Sequence, residues 1–133
     1  MTVDAIMSRD VVTVDPDATL PAVRRRLHEH DYRQLLVVGP DEALRGIIDD
    51  HDVLRALRPF LTNDEPPGEQ ALGRTAADVM RAEPRTVGPD TSVEEAARLL
   101  LDHDISGLPV VAEEALVGLV TTEDLLRHYT NEA

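Results

Sequence analysis

A duplication constrains this chain more than any other feature. Asp4-Ala-Ile-Met7 returns as Ala77-Asp-Val-Met80. Thr13-Val14, Pro16-Asp17, Leu27, His30-Asp31 and Leu35–Val38 return 73 positions later as Thr86-Val87, Pro89-Asp90, Leu100, His103-Asp104 and Leu108–Val111. After a one-residue difference in the following turn, Gly46-Ile-Ile matches Gly118-Leu-Val, and Asp52-Val-Leu-Arg55 matches Asp124-Leu-Leu-Arg127. Correspondence sustained through both halves is not chance, and a period of this length decides the architecture before any single residue does.

Both copies read alike. A short helical turn (Val3–Met7; Ala76–Met80) leads to a brief strand (Val11–Val14; Arg85–Val87), which the Pro16 and Pro89 turns break. A helix follows, from Thr19 to about His30 and from Ser92 to about His103. Ser92 and Glu95 have the spacing of a capping box, and Pro21 sits in a first turn, where proline is tolerated. Val93, Ala96, Ala97 and Leu100 form one apolar stripe; Leu20, Val23 and Leu27 are its counterpart. Two apolar runs, each short enough for a strand covered on both faces, and a last helix complete the copy. The fold class is therefore mixed α/β (α+β), with the order β-α-β-β-α twice. Copy one spans 1–58, a connector containing NDEPPGEQ spans 59–73, and copy two spans 74–131. At 133 residues each half is small, and a unit of about 60 residues buries only ~60% of its unfolded surface, so the halves are expected to share a core.

Composition narrows the function. The net charge is -13, from 26 acids against 13 bases. Such a surface repels nucleic acid and anionic membranes. Two tyrosines and one phenylalanine leave little for stacking on bases. With no cysteine there is neither a disulfide framework nor thiolate chemistry. Nothing reads as a signal peptide or an apolar span of 18 residues, so the expectation is a cytoplasmic protein.

The stretch richest in candidate chemistry is HDISGLPVV (His103–Val111) followed by GLVTTED (Gly118–Asp124). Ser106 and Gly107 let another group approach the backbone. Thr121 and Asp124 place a hydroxyl and a carboxylate three residues apart where a helix should begin. That spacing has two readings. It is the form of a capping box, which is purely structural. It is also a helix N-terminus suited to phosphate, with a carboxylate able to accept both hydroxyls of a ribose. Spacing alone leaves both open. A metal reading of the histidines fails, because His28 and His30 lie two apart and face different ways on a helix. Arg24-Arg25-Arg26 reads first as a solvated helix face, with phosphate contacts or a dimer interface as the alternative. There is no G-x-S-x-G serine and no G-x-x-x-x-G-K-[ST] loop, so no catalytic constellation is found and an enzyme is not expected.

The two copies, with x-T-V-x-P-D, H-D-I-S-G-L-P-V-V and G-h-h-T-x-x-D, resemble a tandem pair of CBS domains, a Bateman module, over nearly the whole chain. The resemblance implies copies packed through their sheets about a pseudo-two-fold axis, with two equivalent clefts. It further implies a stand-alone sensor that takes an adenosine-containing effector such as AMP, ADP, ATP, S-adenosylmethionine or a dinucleotide, and that associates as a homodimer. No cofactor is implied beyond that effector, and any regulated protein is unidentified. Carried over by position, Asp124 would hold the ribose and Thr121 the ribose or phosphate, while Thr86, Val87, Ile105, Ser106, Gly107, Pro109 and Val110 would line the base. In copy one Asp52 and Arg33 are secondary candidates. Asp49 stands where copy two has Thr121, and an ionised carboxylate repels phosphate by roughly 4 kcal/mol at ~4 Å and an effective dielectric near 20. One nucleotide cleft per chain is therefore expected. The rival reading is a ligand-free module that docks on a partner protein.

Overall fold

Alternation, caps and apolar stripes produce nearly the elements that they predict. In the computed structural model, residues 1–29, 34–61 and 73–130 are described. The first copy runs β1 (Thr13–Val14), α1 (Leu20–Glu29), β2 (Gln34–Val38), β3 (Leu44–Asp49) and α2 (Asp50–Leu61). The second begins with α3 (Ala76–Val79) and β4 (Arg81–Ala82), then continues as α4 (Val93–Asp102), β5 (Gly107–Ala112), β6 (Ala115–Thr121) and α5 (Thr122–Thr130). A 3-10 turn at Val3–Ala5 occupies the place in copy one that α3 holds in copy two. Ser92 starts α4 by accepting the Glu95 N–H at 3.0 Å, while the Glu95 carboxylate pairs with Arg98. The expected strand over Arg85–Val87 shrinks to a single parallel bridge between Val87 and Val110. Most of the connector and Arg33 lie outside the described residues.

The chain forms two compact units whose borders are not those of the repeats: Met1–Val11 joins Pro84–Ala133, and Val12–Glu83 forms the other. Each copy has surrendered its leading segment to its sibling. In the unit made mainly from copy one, called unit A here, the strand order is β1-β2-β3-β4. Its β1 is parallel to β2, and β4, which comes from the leader of copy two, pairs antiparallel with β3 through Gly46↔Ala82 and Ile47↔Arg81. In the other, unit B, β5 and β6 pair antiparallel, Val87 bridges the outer side of β5, and Ser8 from the leader of copy one bridges Leu119 of β6. The same four-stranded plan is thus built twice, with shorter edges in unit B.

The apolar cores obey the same exchange. Unit A buries Val14, Leu20, Val23, Leu27, Leu35, Val37, Ile48 and Val53, and Ala76 of the borrowed leader joins them. Unit B buries Val87, Val93, Ala96, Leu100, Leu108, Val110, Val120 and Leu125, joined by Val3. Val3 and Ala76 are repeat equivalents, and both are fully buried. In place of the one expected shared core there are two separate clusters, and each small core is completed by a residue from the other copy. Glycine makes room for that contact. A Cβ at Gly46 would lie 2.5 Å from Met80 Sδ and 2.9 Å from the Arg81 carbonyl oxygen. At Gly118 it would lie 2.7 Å from Met7 Sδ and 2.9 Å from the Ser8 carbonyl oxygen. The methionine that opens each copy therefore rests on the glycine of the other.

Candidate functional site

The candidate site of unit B is built where β6 turns into α5. Gly107 opens β5 and Thr121 closes β6, and the two are cross-strand partners. The Thr122 N–H donates to the Ser106 carbonyl at 3.0 Å, tying the approach to β5 to the start of α5. Thr121 and Asp124 do form the reciprocal cap. Asp124 Oδ2 accepts the Thr121 N–H at 2.8 Å and its hydroxyl at 3.0 Å, and the Asp124 N–H donates to Thr121 Oγ1 at 3.2 Å. The Thr121 hydroxyl is thereby used both as donor and as acceptor. Asp124 Oδ1 is placed differently: it faces Arg127 Nη1 at 3.7 Å, beyond hydrogen-bond length. An ionised carboxylate accepts at about four lone-pair positions, so Oδ1 keeps the capacity to receive a pair of hydroxyls.

This geometry separates the two chemistries that the spacing left joined. An anion at a helix start needs unengaged N–H groups. Here the Thr122 and Asp124 amides are already donating, to Ser106 and Thr121, and Glu123 adds an acid to the first turn. What the arrangement can offer is an acceptor for a vicinal diol, more than a cradle for phosphate.

The remaining sequence candidates fall into two groups. Gly107, Ser106, Thr121 and Asp124 are brought together at one end of the β5–β6 hairpin, with Ile105 just before them, half-buried and packed against the core. Thr86 is exposed and precedes Val87 on the far side of β5. Val87 and Val110 are core residues and Pro109 is fully buried. The Val87 N–H donates to the Pro109 carbonyl and the Val87 carbonyl accepts from Val111, so these residues brace the sheet around the site.

In unit A the equivalent corner is finished otherwise. Asp49 Oδ1 accepts the Asp52 N–H at 3.0 Å and Asp52 Oδ2 accepts the Asp49 N–H at 2.9 Å, so a carboxylate does cap the helix in place of a threonine. Asp52 Oδ1 then accepts from Arg55 Nη1 at 3.0 Å. A further residue, Arg81 of the exchanged leader, donates from Nη2 to Asp49 Oδ2 at 3.0 Å and brings Nε to 3.4 Å from Asp52 Oδ2. The Asp52 side chain is 1% exposed, against 10% for Asp124. Both oxygens of Asp52 accept hydrogen bonds, whereas Asp124 Oδ1 has the ion pair with Arg127 at 3.7 Å in place of one. The expected repulsion by Asp49 needs correction in its reason: Arg81 pairs with its carboxylate at 3.0 Å and compensates its charge. Sequence reading missed Arg81. The available signal was that the repeat equivalents Ser8 and Arg81 differ, as Thr121 and Asp49 do.

Among the described residues no group of three or more potential ligands is arranged to hold a metal ion, and no helix is long and apolar enough to cross a membrane. Comparison with known proteins agrees with the double architecture. The CBS domain family model matches residues 3–59 and again 76–131. A CBS domain-containing protein of Dictyostelium discoideum is 35% identical over 127 residues, covering 93% of this chain and 88% of that protein. The solved structure of CBSX2 in complex with AMP superposes with a TM-score of 0.81 at 27% identity, covering 97% of this chain and 96% of the other. The CBS domain pair of protein MJ0100, solved with 5'-methylthioadenosine and S-adenosyl-L-methionine, superposes with a TM-score of 0.86 at 25% identity, covering 100% of this chain and 98% of that one.

Proposed function

Because the chain belongs to the CBS domain family, we propose that it is a regulatory binding protein that takes an adenosine-containing ligand through the Asp124 carboxylate of unit B. The observation that carries this reading is Asp124 itself: one oxygen holds the cap, the other has no partner closer than Arg127 at 3.7 Å, and an exposed Ser106 and a glycine strand end lie at the same end of the hairpin. Relatives solved with AMP, 5'-methylthioadenosine and S-adenosylmethionine support an adenosyl ligand, since a ribose diol is the part these three share. The net charge of -13 favours AMP or S-adenosylmethionine over a polyphosphate. We read the chain as a sensor and not an enzyme, and as a homodimer. Leu54 on α2 and Leu126 on α5 are repeat equivalents, and both are exposed. Any signalling requires the ligand to bind two states with different affinity.

The test is thermal unfolding with AMP, ADP, ATP, S-adenosylmethionine and NADH, on wild type and Asp124→Asn. The amide keeps an oxygen for the cap and puts an NH₂ donor where the diol acceptor stood. A ligand at 100 times its Kd stabilises by about 2.7 kcal/mol, roughly 10 °C for a chain of this size. The expected result is such a shift for at least one adenosyl ligand in wild type and its loss in the variant. No shift with any of them at millimolar concentration would reject the reading and favour the rival one, a module that docks on a partner protein.

A further inference from the structure

We propose that Arg81 is a specificity-determining residue: as an internal cation bound between Asp49 and Asp52, it occupies the ligand corner of unit A and restricts the chain to one nucleoside site. It extends the reading of Asp124 as the ligand carboxylate, on which it rests. Among the positions that differ between the two corners, three are bulkier or more charged in unit A and lie together there. Gln34 stands for Gly107, Asp49 for Thr121, and Arg81 for Ser8. The structure gathers them. Gln34 and Asp49 are cross-strand partners and so share a sheet face, and Arg81 reaches Asp49 from the neighbouring strand β4.

The charges make sense only as a set. Asp49 and Asp52 cap one another's amides, which holds two carboxylates side by side at the helix start. Without a cation this pair would repel itself and attract an outside one. Arg81 supplies that cation from within, with a hydrogen bond at 3.0 Å to one carboxylate and an ion pair at 3.4 Å to the other. Arginine suits the position because its planar fork reaches two carboxylates at once. In unit B the leader brings Ser8 to the equivalent place beside β6, and Asp124 Oδ1 meets only the guanidinium of Arg127, at 3.7 Å. The arginine also fastens the exchanged leader, since the residue that fills the corner is the one that pairs with Ile47 in the sheet. Closure of the corner and exchange of the leader are therefore one device.

The test rewrites the unit A corner with unit B residues. Wild type, Asp49→Thr, Arg81→Ser, Asp49→Thr/Arg81→Ser and Gln34→Gly/Asp49→Thr/Arg81→Ser are compared by thermal unfolding and by calorimetric titration with AMP. Arg81→Ser alone should lower the unfolding midpoint, and adding Asp49→Thr should recover at least half of that loss, because one of two stranded carboxylates is removed. At least one rewritten variant should bind one more AMP per chain than wild type. Additive unfolding effects, or the same number of AMP molecules in wild type and both rewritten variants, would overturn the proposal. Wild type binding none while a rewritten variant binds one would uphold Arg81 as the block and reject Asp124 as the resident site. Wild type and rewritten variants each binding one would do the reverse.

Discussion

The helix starts at Asp49–Asp52 and at Thr121–Asp124 follow one plan to different ends. In both, a residue at the strand end and an acid three positions on exchange hydrogen bonds with each other's amides. In unit A the acid is also gripped by Arg55 and approached by Arg81, and it is buried. In unit B the acid is 10% exposed and its second oxygen lies 3.7 Å from Arg127, beyond hydrogen-bond length. The reciprocal cap is common to both corners, so it does not distinguish them. What differs is a third residue, contributed by a segment remote in sequence.

The comparison can be broken in several places. The cores should behave as equals even though the corners do not. Leu35 and Leu108 are repeat equivalents with no exposure. Truncation of either to alanine should cost about 3 kcal/mol in denaturant unfolding, within the usual 2–5 kcal/mol for such cavities. A large inequality would show that one unit carries most of the stability.

The glycines under the exchanged methionines come next. Gly46→Ala and Gly118→Ala each force a Cβ against a leader carbonyl at 2.9 Å, which a side-chain rotation cannot relieve. Each should lower stability by about 1–3 kcal/mol, as overpacking does. Each should also loosen the leader of the opposite copy, read as faster amide exchange at Ser8 for Gly118→Ala and at Arg81 for Gly46→Ala. Faster exchange confined to the mutated copy's own leader would contradict the exchange of segments.

Smaller still is the contrast between the leaders. Arg81→Ser should cost about 1–2 kcal/mol: Asp52 is buried, but Arg81 is 38% exposed and Arg55 remains, so the full penalty of a stranded buried charge does not apply. Ser8→Ala should stay within about 0.5 kcal/mol. Equal effects in denaturant melts would erase the asymmetry between the corners.

The smallest effect concerns pH. The Asp78 carboxyl is held below its ordinary value of 3.8, first by the Thr75 backbone N–H and then by the Thr75 hydroxyl. A carboxylate with a depressed folded pKa contributes stability that is present above the unfolded value and lost as the pH falls through the lowered one. Asp78→Asn should therefore flatten the stability profile below pH 3.8 and leave its shape near neutrality unchanged. An unchanged acid limb would mean that this cap does not survive in solution.

Much of this was legible locally. The apolar stripe of Val93, Ala96 and Leu100 became the buried face of α4, and the caps at Ser92 and Thr121 start helices as their spacing implied. The strand expected at Arg85–Val87 was legible only in part. One bridge to Val110 replaces it, because strand identity is a property of pairing and Val87 alone meets a partner in register. Val110 and Val87 could be named as site residues from their position, but position did not reveal that their side chains belong to the core.

The sequence by itself determined the duplication, the order of elements, the helix starts and the acid at each candidate corner, because periodicity and caps are interactions between near neighbours. Only the tertiary structure decided which leader completes which sheet. It alone brought Arg81 to Asp49 across 32 positions of chain, giving one corner a cation that the other lacks at the equivalent residue, Ser8. Those outcomes depend on contacts that form only after the chain has closed back on itself, and no local pattern records which of two equivalent partners a segment will meet.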